Sequence, residues 1–171
     1  MRSLASVDTC FHSLLLRLGL RVLICWKISD FEALLKVFTV NTASNVNWLK
    51  HAPHLLVKER AEWAVFSARV GSISDNRLGG WYSYRMSKAA LNMLIKTAAV
   101  ELQRRMKQAV LVSYHPGTVD TNLSQPFQQR VPSEKLFTPD YSVKKLSSVL
   151  DGLSTEDSGK IFAWDGSEIP Y

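Results

Sequence analysis

The sequence predicts an α/β domain built on a parallel sheet, and three observations lead there. Short apolar runs suited to buried strands, at 63–67, 109–113 and 160–164, alternate with longer segments of helical periodicity. The stretches between the runs are long enough for helical crossovers of about 10–15 residues, the connection that parallel strands require. Turn-forming clusters then follow the runs: Gly71 to Gly80 after the first, His115-Pro116-Gly117 after the second, Asp165-Gly166 after the third.

The elements follow in order. Residues 1–29 are apolar and basic, with Arg2, Arg17, Arg21 and Lys27 against the single acid Asp8. That composition fits a weak transit peptide, an amphipathic helix covering an exposed sheet, or sequence foreign to the domain. The pattern changes near Ile28, so the domain is set at 30–171 and the atypical segment at 1–29. Phe31, Leu34, Leu35 and Phe38 are spaced for one apolar helix face. Residues 45–57 predict a second helix, kinked at Pro53. After the strand at 63–67 comes a turn-rich loop over 72–83. The longest helix is expected at 87–105, with Leu91, Leu94, Ile95, Ala98 and Leu102 as its stripe. A last helix is expected at 141–150.

Composition narrows the function. The length of 171 residues suits one domain, which usually holds roughly 100–200. Hydrophobic residues at 46% against 21% charged argue against global disorder. Cys10 and Cys25 are too few for a disulfide framework or a four-thiolate zinc site, and they predict a reducing compartment. The expected location is cytoplasmic, with a mitochondrial address as the alternative raised by residues 1–29. Of the net charge of +6, residues 1–70 carry nine Lys/Arg against five acids, and residues 71–171 twelve against ten. No block of five like charges appears, so no nucleic-acid partner is expected. Arg17 and Arg21 interrupt the longest apolar stretch, 14–26, which is shorter than the ~20 residues a membrane span needs.

The chemistry concentrates at Tyr84-Arg85-Met86-Ser87-Lys88. Residues four apart on a helix share a face, so Lys88 can bring its ammonium to the phenol of Tyr84. A nearby cation favours the phenolate, and the positive end of a helix dipole acts the same way. Such a tyrosine can give a proton to a carbonyl or take one from an alcohol. Taken alone, the pair also reads as a core tyrosine beside a solvated lysine. Its setting adds weight, because active residues of open α/β sheets sit in loops beyond the carboxyl ends of the strands. The loops at 67–72 and 115–121 both follow strands.

These motifs, in this order, resemble the short-chain dehydrogenases/reductases over residues 30–171. Tyr84 and Lys88 resemble the family's Tyr-x-x-x-Lys pair, and His115-Pro116-Gly117 through Thr121 its Pro-Gly motif. Val40-Asn41 resembles the position of its catalytic asparagine. Gly71 to Asn76, Tyr84 to Asn92 and the ending Phe162 to Gly166 are most similar to the C-factor-like branch. The resemblance implies an incomplete Rossmann-like, doubly wound parallel sheet, and hydride transfer between NADP or NAD and a carbonyl or alcohol. It implies Tyr84 as general acid/base, and Lys88 as the group that lowers its pKa and binds the nicotinamide ribose. Asn41 would hold a relay water. Pro116, Gly117, Val119 and Thr121 would position the nicotinamide. A serine would orient the substrate carbonyl. The family's usual position for it is here Ala68, which leaves Ser72, twelve residues before Tyr84, with Ser67 as its substitute.

One family feature has no counterpart. The fold opens on a glycine-rich turn that receives the cofactor pyrophosphate at a helix N-terminus. Between Met1 and Ser67 the only glycine is Gly19. Weak cofactor binding is therefore expected, and a second function class stands beside the enzyme: an impaired fragment acting in interaction or signalling. No metal site is expected, since His51 and His54 lack a partner at useful spacing. Trp81 and Tyr82 are either a substrate wall or loop packing, and His115 either lines the pocket or is structural. Ala90, Met93, Thr97 and Val100 give the helix at 87–105 a second apolar side, which predicts a homodimer or cover by residues 1–29.

Overall fold

The computed structural model describes residues 31–54 and 60–171. The atypical segment at 1–29, with its three readings, lies outside them, as does the end of the helix expected at 45–57. Helix α1 (Phe31–Phe38) runs into a π-helical turn, Thr39–Ala43, and on into α2 (Ser44–His51). A 3-10 turn, Ala52–His54, replaces the kinked helix expected there. Proline disfavours α-helical geometry in the residue before it and has no N–H to donate, so α2 stops short of Pro53. The apolar face of α1 also differs from expectation. Val37 is buried and Leu34 and Phe38 are half-buried, whereas Phe31 is 69% exposed and Leu35 50%.

Strand β1 (Ala61–Phe66) leads through a 3-10 turn, Arg69–Gly71, to the long helix α3 (Tyr82–Arg105). The helix begins at Tyr82, earlier than the 87 that periodicity indicated, because a left-handed turn delivers the chain into it. Gly79, Gly80 and Trp81 have φ of 62°, 69° and 51°. Strand β2 (Ala109–His115) follows, then a two-residue parallel pair, β3 (Thr118–Val119) with β4 (Leu136–Phe137). Helix α4 (Pro139–Asp151) starts on Thr138, whose hydroxyl accepts from the Tyr141 N–H, and on Pro139 in its first turn, where a missing N–H is harmless. Strands β5 (Ile161–Ala163) and β6 (Glu168–Ile169) close the chain.

The main sheet has the order β1-β2-β5-β6, with β1, β2 and β5 parallel and β6 antiparallel to β5. This is the α/β parallel sheet that the sequence predicts, with β6 and the β3–β4 pair added. Alternation along the strands feeds two cores. Val65, Ala109 and Leu111 pack against Leu91, Ile95, Ala99 and Leu102 of α3. Val110, Val112, Tyr114 and Phe162 pack with Val149 and Leu153 at α4. Burial of a leucine such as Leu91, with no exposed surface, contributes about 1.5–3 kcal/mol. The first core holds α3 against β1 and β2, and the second packs the sheet against α4.

Candidate active site

Tyr84 and Lys88 stand side by side on the first turns of α3, with the lysine Nζ 5.9 Å from the phenol ring centroid. Lys88 is buried and donates a hydrogen bond to the carbonyl of Phe66, 2.9 Å away. The Ser67 N–H points to β2, where it bonds the carbonyl of Tyr114. Backbone groups alternate sides along a strand, so the Phe66 carbonyl faces the outer edge of β1. The lysine thus reaches the last outward-facing carbonyl of β1, an edge strand among the described residues.

Burial governs the charges here. It pushes the Tyr84 phenol up to about 12 and the Lys88 ammonium down to about 8. The resemblance led one to expect a phenol lowered by the lysine. In the structure, removal of the phenol from water raises it instead.

Asn41 sits in the π-helical turn, buried, and its Nδ2 donates to the Ser87 hydroxyl at 3.0 Å. That hydroxyl donates in turn to the carbonyl of Tyr84 at 2.8 Å. Thr42 adds a bond from its hydroxyl to the Ser87 carbonyl. Asn41 is therefore fixed to α3 at Ser87, the residue before Lys88. A π-turn inserted in a helix is a common mark of a functional position, and here it brings Asn41 and Thr42 to Ser87.

Both candidate serines have acceptors of their own. Ser72 is buried and donates to the carbonyl of Pro170 at 2.5 Å, while its oxygen accepts from the Asp75 N–H. Ser67 donates to Oδ1 of Asn92 at 2.6 Å. Ala68 is buried between them in sequence. Gly71 packs so close to α3 that an added Cβ would lie 2.8 Å from the backbone carbon of Lys88.

The Pro-Gly segment lies beyond the end of β2. Gly117 has a φ of +76°, and a side chain there would also strike the ring of Phe137, 2.6 Å away. Pro116 offers its carbonyl to Ser142 at 3.4 Å. The Val119 carbonyl accepts from the Ser124 hydroxyl, and Thr121 is tied to Ser124 through its own backbone and hydroxyl. His115, half-buried, keeps a buried Nδ1 with no hydrogen-bond partner. Its imidazole is pushed down to about 4, chiefly by burial and then by the charge of Arg69. Among the described residues no cluster of three or more His, Cys, Asp or Glu could hold a metal, and no helix is long and apolar enough to cross a membrane. A cavity of about 270 Å³, lined by Lys145, Val149, Trp164 and Asp165 among others, contains none of these site residues.

Sequence reasoning missed Ser87, Asn45 and Arg85. Ser87 lies inside the Tyr84–Lys88 interval, and Asn45 Nδ2 donates to the Asn41 carbonyl, one turn on. The i, i+4 spacing of Asn41 and Asn45 was available to find the second asparagine.

No family model matches the chain. It is similar to the C-signal of Myxococcus xanthus, 35% identical over 143 residues that make up 83% of this chain and 81% of that protein. It is also similar to the 1-hydroxy-2-glutathionyl-2-methyl-3-butene dehydrogenase of Rhodococcus sp. (strain AD45), 33% identical over 83% of this chain but 60% of the other. Among solved structures, the NADPH-bound carbonyl reductase from chicken fatty liver superposes with a TM-score of 0.70 and 28% identity, over 98% of this chain and 73% of that one. The carbonyl reductase Sniffer of D. melanogaster gives a TM-score of 0.68 over 86% of this chain and 60% of its own. At 24% identity that likeness speaks to the fold.

Proposed function

We propose a carbonyl or alcohol hydride-transfer chemistry for this chain, which belongs to the short-chain dehydrogenase/reductase family, in its C-factor-like branch. The observation that carries the reading is the Tyr84 ring held 5.9 Å from the Lys88 ammonium, which is itself bonded to the carbonyl at the end of β1.

In reduction, Tyr84 donates its phenolic proton to the substrate carbonyl oxygen; in oxidation it takes the hydroxyl proton back. The Lys88 cation lessens the cost of the phenolate formed in the first case. Asn41, whose backbone carbonyl accepts from the Asn45 side chain, holds a relay water. Ser72, or Ser67 in its stead, orients the substrate carbonyl by exchanging its present acceptor for the substrate.

A nicotinamide cofactor, NADP or NAD, supplies the hydride when bound. The residues present fit one end of it. An ammonium has three donors and Lys88 spends one on Phe66, leaving two suited to ribose hydroxyls. Pro116, Gly117, Val119 and Thr121 would border the nicotinamide. For the pyrophosphate end, residues 1–66 hold the single glycine Gly19 and so no glycine-rich turn within them. That observation supports the second reading, a catalytically impaired chain with an interaction or signalling role.

The partners proposed are a small carbonyl or alcohol substrate and a second copy of the chain. Met93 and Val100 on the outer side of α3 are 66% and 45% exposed, and Phe31 and Leu35 of α1 are exposed as well. An apolar helix face left in water favours association. The chemistry is tested by supplying millimolar NADPH or NADH with a panel of aldehydes and ketones. Turnover that Tyr84→Phe abolishes supports the enzyme; no turnover, or turnover indifferent to that change, favours the second reading.

A further inference from the structure

Arg85, the neighbour of Tyr84, reaches backward out of α3. Its Nε donates to the carbonyls of Gly80 at 3.0 Å and Gly79 at 3.2 Å, and its Nη1 to the carbonyl of Val70 at 3.2 Å. Its guanidinium carbon lies 5.7 Å from a Trp81 ring centroid. Three carbonyls from two separate segments therefore converge on one side chain.

The helix start needs such a tether. Its first residues follow three consecutive left-handed residues, and Trp81 is the only non-glycine with positive φ among the described residues. A left-handed conformation is costly for a non-glycine residue. The side chain of Trp81 makes no capping hydrogen bond, so the first turn lacks the usual anchor. An uncapped first turn is where helices open, and Tyr84 lies in it.

The contacts also close a ring around the site. Val70 belongs to the Arg69–Gly71 turn, and Gly71 abuts the backbone of Lys88. From Lys88 the line runs through Gly71 and Val70 to Arg85, and so back to Tyr84. We infer that Arg85 is a positioning residue: its fork ties the first turn of α3 to the Gly79-Gly80 turn and the Arg69–Gly71 turn, and so sets the Tyr84 phenol against Lys88. The catalytic consequence rests on the proposed role of Tyr84; the tether itself rests on the three bonds. A planar guanidinium can serve divergent carbonyls at once, which a lysine ammonium on a flexible stem does poorly.

The experiment compares wild type with Arg85→Gln and Arg85→Lys. Phenol ionisation is followed by tyrosinate absorbance, and the Tyr84 contribution is isolated by subtracting the same chain carrying Tyr84→Phe. Melting and far-ultraviolet dichroism are recorded alongside, and Arg85→Lys serves should Arg85→Gln not fold. In both variants the Tyr84 phenol is expected to fall from about 12 toward the ~10 of an exposed tyrosine, with the fold retained. Carbonyl reduction, where wild type shows it, is expected to lose about tenfold or more in kcat with little change in KM for the cofactor. A phenol that stays put in both variants overturns the tether, whatever the activity. A phenol that shifts in a chain without reductase activity keeps the tether and removes the role proposed for Tyr84.

Discussion

The Lys88 ammonium donates to the backbone carbonyl of Phe66 across the outer edge of β1, at 2.9 Å. The contact joins the first turns of α3 to the last outward-facing carbonyl of β1. It explains how a buried cation is accommodated beside a phenol that burial keeps protonated. It also means that a cofactor ribose at this site must share the lysine with the sheet.

Burial of Lys88 makes stability depend on pH. With the folded ammonium at about 8 against an ordinary 10.5, the unfolded chain binds that proton more tightly over the interval between them. Stability therefore rises with pH from about 8 toward 10.5, by a total on the order of 3 kcal/mol. Urea midpoints from pH 7.5 to 10 are expected to climb in wild type and to stay flat in Lys88→Met. The window stops near pH 10 because Tyr84 and Tyr114, both raised to about 12, destabilise the fold as the pH climbs beyond it.

Gly71→Ala tests the seating of α3. The added methyl would stand 2.8 Å from both the backbone carbon and Cβ of Lys88, where no flexible side-chain end can yield. A loss of about 1–3 kcal/mol is expected, as for overpacking generally. The ultraviolet titration of Tyr84 should shift with it. An alanine variant as stable as wild type would show that the turn and helix are not in this contact.

The sheet, the Tyr84–Lys88 spacing and the Pro-Gly turn were legible because each is a local pattern. Helix α1 fell at Phe31–Phe38, where its periodicity put it. The start of α3 was not legible, since its cause is a left-handed turn at Gly79, Gly80 and Trp81 rather than any loss of apolar rhythm. The π-turn around Asn41 shifts backbone bonds by one residue, which leaves no trace in composition. The acceptor of Ser72 lies on Pro170, 98 residues further on, and only the folded sheet brings the two together. Spacing from Tyr84 favoured Ser72, and spacing alone cannot show that its hydroxyl is already engaged.

Asn41→Ala removes a donor to a buried hydroxyl and leaves Ser87 short of one partner. A destabilisation of about 1–3 kcal/mol is expected from urea unfolding. Asn41→Asp is expected to be at least as costly, because an ionised carboxylate cannot donate. A neutral outcome for both would separate Asn41 from the support of Tyr84 and Lys88.

Self-association is expected through the outer side of α3. Sedimentation over a range of concentrations should show a dimer for wild type, and a monomer once Met93 and Val100 are both changed to glutamate. Those side chains are exposed, so the double variant should keep its melting temperature within a few degrees. A wild-type monomer at the highest concentration would rule out the homodimer.

The account proposes an acid/base end at Tyr84 and Lys88 and a weak nucleotide grip within these 171 residues. Titration of the 171-residue chain with NADPH and NADH, followed by cofactor fluorescence, tests it most directly. Losing about 4 kcal/mol of pyrophosphate and adenosine binding weakens affinity roughly a thousandfold. The account predicts no saturation in the micromolar range for either cofactor. Saturable micromolar binding, with carbonyl reduction abolished by Tyr84→Phe, would contradict it.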